Sequence, residues 1–237
     1  MNDGLANTLN PCLGPSASYS SYTESELYWA VASSNGASSQ PKASLYVNTA
    51  DPGNGVSDWP TYSMASDPYG TCSASGDPLV GANTPACAWQ YGYNKAAQDA
   101  AWLTSAANAI NGQEAKTTVL NSPAAYPWWL DVETANSWQS GTAGLAMNVA
   151  DLQGMVAALK GAGATTVGVY STSYQWGQVT GGSQYTAGTS LAGLPDWIPG
   201  AHNLSGAVAN CQLSSFSGGP VELTQWFSRP YDSDYVC

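Results

Sequence analysis

Short apolar runs of strand type alternate along most of this chain with segments that carry a helical pattern. That alternation restricts the fold more than any other feature. The runs ASLYVNT (43–49), CAWQYGYN (87–94), PWWLDVE (127–133), TTVGVYS (165–171) and LPDWIPGA (194–201), the region 207–211 and VELTQWF (221–227) read as about seven strands. Helical patterns fall at ELYWAVASSNG (26–36), closed by Gly36 as a C-cap, at KAAQDAAWLTSAANAI (95–110), and at LAMNVADLQGMVAALKGAG (145–163), closed by its GAG stop. YQWGQVTGG (174–182) is a short helix or turn. The order predicts an α/β fold, a TIM-type (β/α) barrel with an incomplete first strand at the N-terminus. A doubly wound open sheet competes, but no glycine-rich phosphate loop follows any strand. With 237 residues, no repeats and one substantial core, residues 1–237 read as a single domain.

Charge decides which partners are excluded. Five basic residues stand against sixteen acidic ones, a net charge of −11. Such a field repels nucleic acid and disfavours anionic membranes, so neither is an expected partner. No stretch is long and apolar enough to span a bilayer. One histidine and cysteines without CxxC spacing argue against a zinc site, and no cofactor motif occurs. Low lysine, abundant Ser, Thr and Gly, and five cysteines read as an exported, extracellular protein with disulfides. Met1 leads straight into Asn2-Asp3-Gly4 with no leader pattern, as in a mature or trimmed form. His202, in PGAHNLSG, has no nucleophile elbow near it and reads as a surface residue.

Against only 9% charged residues, WWLDVET (128–134) stands out. On a strand, residues i and i+2 share a face about 7 Å apart. Asp131 and Glu133 therefore project together, while Leu130 and Val132 face the other way. Two carboxylates this close do not both ionise easily, so one of them becomes a proton donor near neutral pH. That is the equipment of glycosidic bond cleavage. Ten Trp and fourteen Tyr against two Phe agree with it, because those rings combine a flat apolar face with a hydrogen-bonding edge suited to sugars. Trp129 and Trp138 flank the acids and are candidate substrate-binding groups.

WWLDVETANSW (128–138), VGVYSTSYQWGQVTGG (167–182), LPDWIPGA and LTQWFSRPYDSDYVC (223–237) together resemble glycoside hydrolase family 25, the muramidase-type lysozymes, in a secreted, actinobacterial-type branch. The resemblance follows nearly the whole chain in strand order. It implies that Glu133 is the general acid and that Asp131 orients the substrate's N-acetyl group or a water. It puts a further catalytic acid at Asp232 or Asp234, and gives Tyr170 and Gln225 places in the site wall. The family's first strand ends in an acid, a place for which only Asn2 and Asp3 are available. The implied activity is cofactor-free cleavage of a cell-wall or extracellular bacterial polysaccharide. Two other readings stay open: a carbohydrate-binding protein without turnover on the same barrel, and an extracellular self-assembling structural protein.

Pro, Gly and Asp crowd residues 51 to 86, and a disulfide between Cys72 and Cys87 is expected to staple them as one loop. Cys211 and Cys237 bracket the final strand and are paired for that reason. Cys12 is left over. Related chains carry an earlier segment with its own cysteine, so the resemblance implies a free Cys12, with the barrel short of its first strand or another chain supplying it in an oligomer. Alkylation without reduction, followed by peptide mass mapping, is expected to label Cys12 alone; an unlabelled Cys12 in a monomer counts against the pairing.

Overall fold

A computed structural model describes residues 25–32, 43–53, 58–113, 117–229 and 231–237. Asn2, Asp3, Cys12 and Gly36 lie outside the described residues. Six strands form one sheet in the order in which they occur: β1 (Leu45–Asn48), β2 (Trp128–Asp131), β3 (Val167–Tyr170), β4 (Asp196–Ala201), β5 (Val221–Trp226) and β6 (Ser233–Val236). β1 to β5 pair in parallel and β6 runs antiparallel to β5. The fold is therefore α/β, with a curled half-barrel sheet among the described residues rather than a closed TIM barrel. Its helices are α1 (Glu26–Ala32), α2 (Pro85–Asn111), α3 (Gly141–Gly161), α4 (Ser173–Thr180), α5 (Ser183–Thr186) and α6 (Leu204–Asn210).

Two of the expected strands are helical. Residues 87–94 form the opening turns of α2: Thr84 caps it by accepting from the Cys87 amide, and Pro85 stands in the first turn. Trp89, Tyr91 and Tyr93 imitate strand alternation, yet the Trp89 and Tyr93 rings stack one helical turn apart, centroids 5.3 Å from each other. Buried Ala96, Ala100, Leu103, Ala107 and Ile110 then continue the helical period. Residues 207–211 belong to α6 and its C-cap, because Asn203 accepts the Gly206 amide at 2.9 Å and starts a helix there. β6 escaped the sequence reading altogether: SDYV is short, and its polar residues stand side by side instead of alternating with apolar ones.

Period-2 alternation decides the two faces of the sheet. Leu45, Val47, Trp128, Leu130, Val132, Val167 and Val169 are buried in one core with Leu103 and Ile110 of α2, Leu152, Met155 and Leu159 of α3, and Trp176 of α4. The Trp128 ring is satisfied within that core, its Nε1 donating to the Pro123 carbonyl at 2.9 Å. The opposite face carries polar and aromatic side chains. A smaller cluster packs Trp59, Trp89 and Ala150 around Cys72 and Cys87. The disulfides join Cys72 to Cys87 and Cys211 to Cys237, as their positions in the sequence predict.

Beyond the strand ends, Gln139 ties three loops together. Its Nε2 donates to Asp51 Oδ1 at 2.8 Å and to Asn83 Oδ1 at 2.9 Å. Its carbonyl accepts from buried Asn148 of α3, whose Nδ2 also reaches the Val179 carbonyl at 2.8 Å. The segments after β1 and β2 and before α2 are thereby held in one register.

α2 and α3 approach so closely that a Cβ on Gly154 would stand 1.9 Å from the Trp89 carbonyl oxygen. Alanine is the better helix former by about 1 kcal/mol, but the atom it would meet is backbone and cannot turn aside. Gly154→Ala is expected to destabilise the chain by about 1–3 kcal/mol, read as a fall in Tm of roughly 2–4 °C per kcal/mol. An unchanged unfolding midpoint would refute the contact.

Candidate active site

The inner face of the sheet is built in layers. Register sets Tyr46 beside Trp129 and Trp129 beside Gly168, and one step further along sets Asn48 beside Asp131 and Asp131 beside Tyr170. Trp129 is almost wholly buried and lies across Gly168: a Cβ there would fall 2.4 Å from its ring. Trp197, paired with Tyr170 between β3 and β4, meets both rings edge to face, with centroids 5.8 Å from Trp129 and 4.7 Å from Tyr170. These rings make an apolar floor.

Above it opens a cavity of about 220 Å³ lined by Tyr46, Asp131, Glu133, Tyr170, Trp197 and Gln225. The Val132 amide donates to the Tyr170 carbonyl at 2.9 Å, which prolongs strand geometry past Asp131 and leaves Glu133 on the same side. Hydrogen bonds pin the peptides around both acids. Thr49 Oγ1 donates to the Asp131 carbonyl at 2.6 Å, Ser171 Oγ to the Val132 carbonyl at 2.7 Å, and Trp138 Nε1 to the Glu133 carbonyl at 2.8 Å. On the far wall the Tyr170 hydroxyl donates to Gln225 Oε1 at 3.0 Å. Asp234 stands at the rim, its Oδ1 accepting from Trp197 Nε1 at 3.0 Å.

The structure thus brings Asp131, Glu133, Tyr170 and Gln225 together and sets Asp234 beside them. Asp232 and Asp234 are both exposed, and the charge of Asp232 bears on Tyr170 and Asp234. Trp129 and Trp138 do not line the cavity: one forms the floor and the other fixes the backbone at Glu133. Tyr46 and Trp197 were not singled out from the sequence. The signal was there, since alternation against buried Leu45, Val47, Asp196 and Ile198 turns both inward. A larger cavity of about 590 Å³ continues from Tyr46 and Asp131 towards Glu26 and Trp29 of α1. Among the described residues, no group of His, Cys, Asp and Glu side chains could hold a metal ion.

The described lining residues include two carboxylates, Asp131 and Glu133, and no lysine or arginine. Burial raises Asp131 to about 6, and the charge of Glu133 adds to the effect; among the described residues its Oδ1 is buried without a hydrogen-bond partner. Loss of water likewise raises Asp234 to about 6 against the N–H donation of Trp197, with Asp232 adding and Gln225 lowering. Burial also pushes the Tyr170 hydroxyl upward, with Glu133, Asp131, Asp232 and Asp234 reinforcing it, so it remains a donor throughout the working range.

A carboxyl whose folded pKa exceeds its unfolded value of about 3.9 binds its proton more tightly in the native state, so it withdraws stability as pH rises between the two values. Asp131→Asn removes that loss at nearly constant shape. The Tm difference, variant minus wild type, is expected to grow from about pH 4 to about pH 6 and to stay level above it. Thermal unfolding across pH 3–8 checks this, and a flat difference would refute the burial of the charge.

A family model described as lysozyme-like protein 1 matches residues 91–192. The matched stretch contains most of α2, then β2 with Asp131 and Glu133, α3, β3 with Tyr170, α4 and α5. No curated protein and no solved structure matches the chain. The similarity is consistent with a lysozyme-like domain.

Proposed function

We propose that this chain is an extracellular glycoside hydrolase of the family 25 type, cleaving a cell-wall or extracellular bacterial polysaccharide. The observation that carries the reading is the meeting of Asp131 and Glu133 on the inner face of the sheet, over an aromatic floor and opposite Tyr170, Gln225 and Asp234. The similarity of residues 91–192 to a lysozyme-like family supports a glycan as substrate. Two disulfides fit an oxidising compartment, and among the described residues no helix is long and apolar enough to cross a membrane.

In this reading Glu133 donates a proton to the glycosidic oxygen as the bond to the anomeric carbon breaks. Asp131 holds the substrate's N-acetyl group or a water on the reacting side. Tyr46 and Trp197 offer ring faces and edges to the sugars, and the cavity running towards Trp29 takes the neighbouring residues of the polymer. Acid catalysis of this type is worth about 10²–10⁴-fold in rate.

Wild-type protein is expected to clear a peptidoglycan suspension and release reducing ends. Glu133→Gln should lose about 10²–10⁴-fold of that rate with its Tm nearly unchanged, because the substitution relieves a crowded set of acids. Wild-type protein that binds the suspension without releasing reducing ends would establish a binder in place of an enzyme. A variant whose Tm falls sharply would make Glu133 a structural residue.

A further inference from the structure

Asp234 is the acid of the site that depends most on other side chains. It lies on β6, the last strand and an edge of the described sheet, and it comes to the cavity from outside the segment that holds Asp131 and Glu133. Among the described residues, two side chains donate to its carboxyl. Trp197 Nε1 reaches Oδ1 at 3.0 Å, and Gln225, its register partner on β5, supplies the other bond. The Gln225 amide is in turn oriented by the Tyr170 hydroxyl on its Oε1. An indole N–H can donate and never accept, so its bond to Asp234 favours the ionised carboxylate. Trp197 cannot swing away to release it, because its ring is packed edge to face against Tyr170 and Trp129.

We propose that Trp197 is a positioning residue, one whose indole N–H holds the Asp234 carboxyl in a fixed place beside the cavity that Asp131 and Glu133 line. The inference rests on the glycosidase reading for its catalytic meaning, but the bond itself is independent of any substrate. Among the described residues Asp131 has its Oδ1 buried without a hydrogen-bond partner, whereas Asp234 has side-chain donors fixed on it. Asp232, on the same tail, is the charge that bears on Asp234, while Glu133, Asp131, Asp232 and Asp234 all bear on the Tyr170 hydroxyl. No lysine or arginine lines the cavity to do what the indole does.

The test is a carbon-detected NMR titration of the aspartate carboxyls in protein labelled at those carbons, with Asp234→Asn assigning the signal. In wild-type protein the Trp197 indole proton should shift with the same midpoint as the Asp234 carboxyl carbon; an indole signal indifferent to that titration overturns the proposal. Trp197→Phe keeps the ring contacts and removes the donor. It should raise the Asp234 midpoint by about one to two pH units, the size of one lost hydrogen bond to a charged group, and leave the Asp131 midpoint where it was. An unmoved Asp234 midpoint overturns the proposal even in a folded variant. On peptidoglycan, the acidic limb of the rate profile should move up with Asp234 while KM stays close to wild type; a fixed acidic limb also overturns it. Wild-type protein that shows the shared titration but cleaves nothing refutes the glycosidase reading alone.

Discussion

The geometry of the inner face depends on one steric fit, the Trp129 ring lying in the space that a side chain at position 168 would need. Because Gly168 yields that space, β2 and β3 keep regular parallel pairing with an indole flat between them. Trp197 then meets both Trp129 and Tyr170 edge to face, and three strands share one hydrophobic support. The acids one step further along each strand inherit their positions from it. Asp131 follows Trp129 by two residues, as Tyr170 follows Gly168.

That support also supplies the electrostatics. A net charge of −11 with five basic residues leaves few counter-ions for an acidic cavity. Two of the cations sit elsewhere over rings, Lys95 over Tyr91 and Arg229 over Phe227. With no cation among the lining residues, the repulsion between carboxyls is met by protons and by N–H and O–H dipoles. The raised Asp131 and Asp234 are what such a balance requires, and so is a tyrosine kept protonated between them.

Much of this was legible in the sequence where one signal stood alone. DVE on a strand, the long helix after it, β3, β5 and both disulfide pairings depend on local period or on cysteine placement, and the structure contains each of them. Reading failed where two periods overlapped or none was strong. Trp89, Tyr91 and Tyr93 alternate like a strand while their buried neighbours follow a helix, and the capped N-terminus at Thr84 decided the outcome. A run as short as SDYV cannot announce a strand, because β6 exists through its pairing with β5 and not through its own propensity. Trp138 illustrates a further limit. Its nearness to the acids was visible, but its use of Nε1 to fix a backbone carbonyl was a matter of side-chain direction.

The bond between Cys211 and Cys237 changes the standing of β6. It closes a covalent ring that contains β5 and β6 together, and from that ring the Thr224 hydroxyl donates to the Ala207 carbonyl of α6 at 2.8 Å. An ordinary terminal strand frays from its free end, and each lost rung makes the next easier to lose. Here β6 is joined covalently on both sides, to β5 by the chain itself and to the end of α6 by the cystine. Peeling β6 from β5 cannot carry Cys237 away from Cys211 without breaking a covalent bond, and the carboxyl three residues before Cys237 stays in register with Gln225 although it rides on the margin of the described sheet.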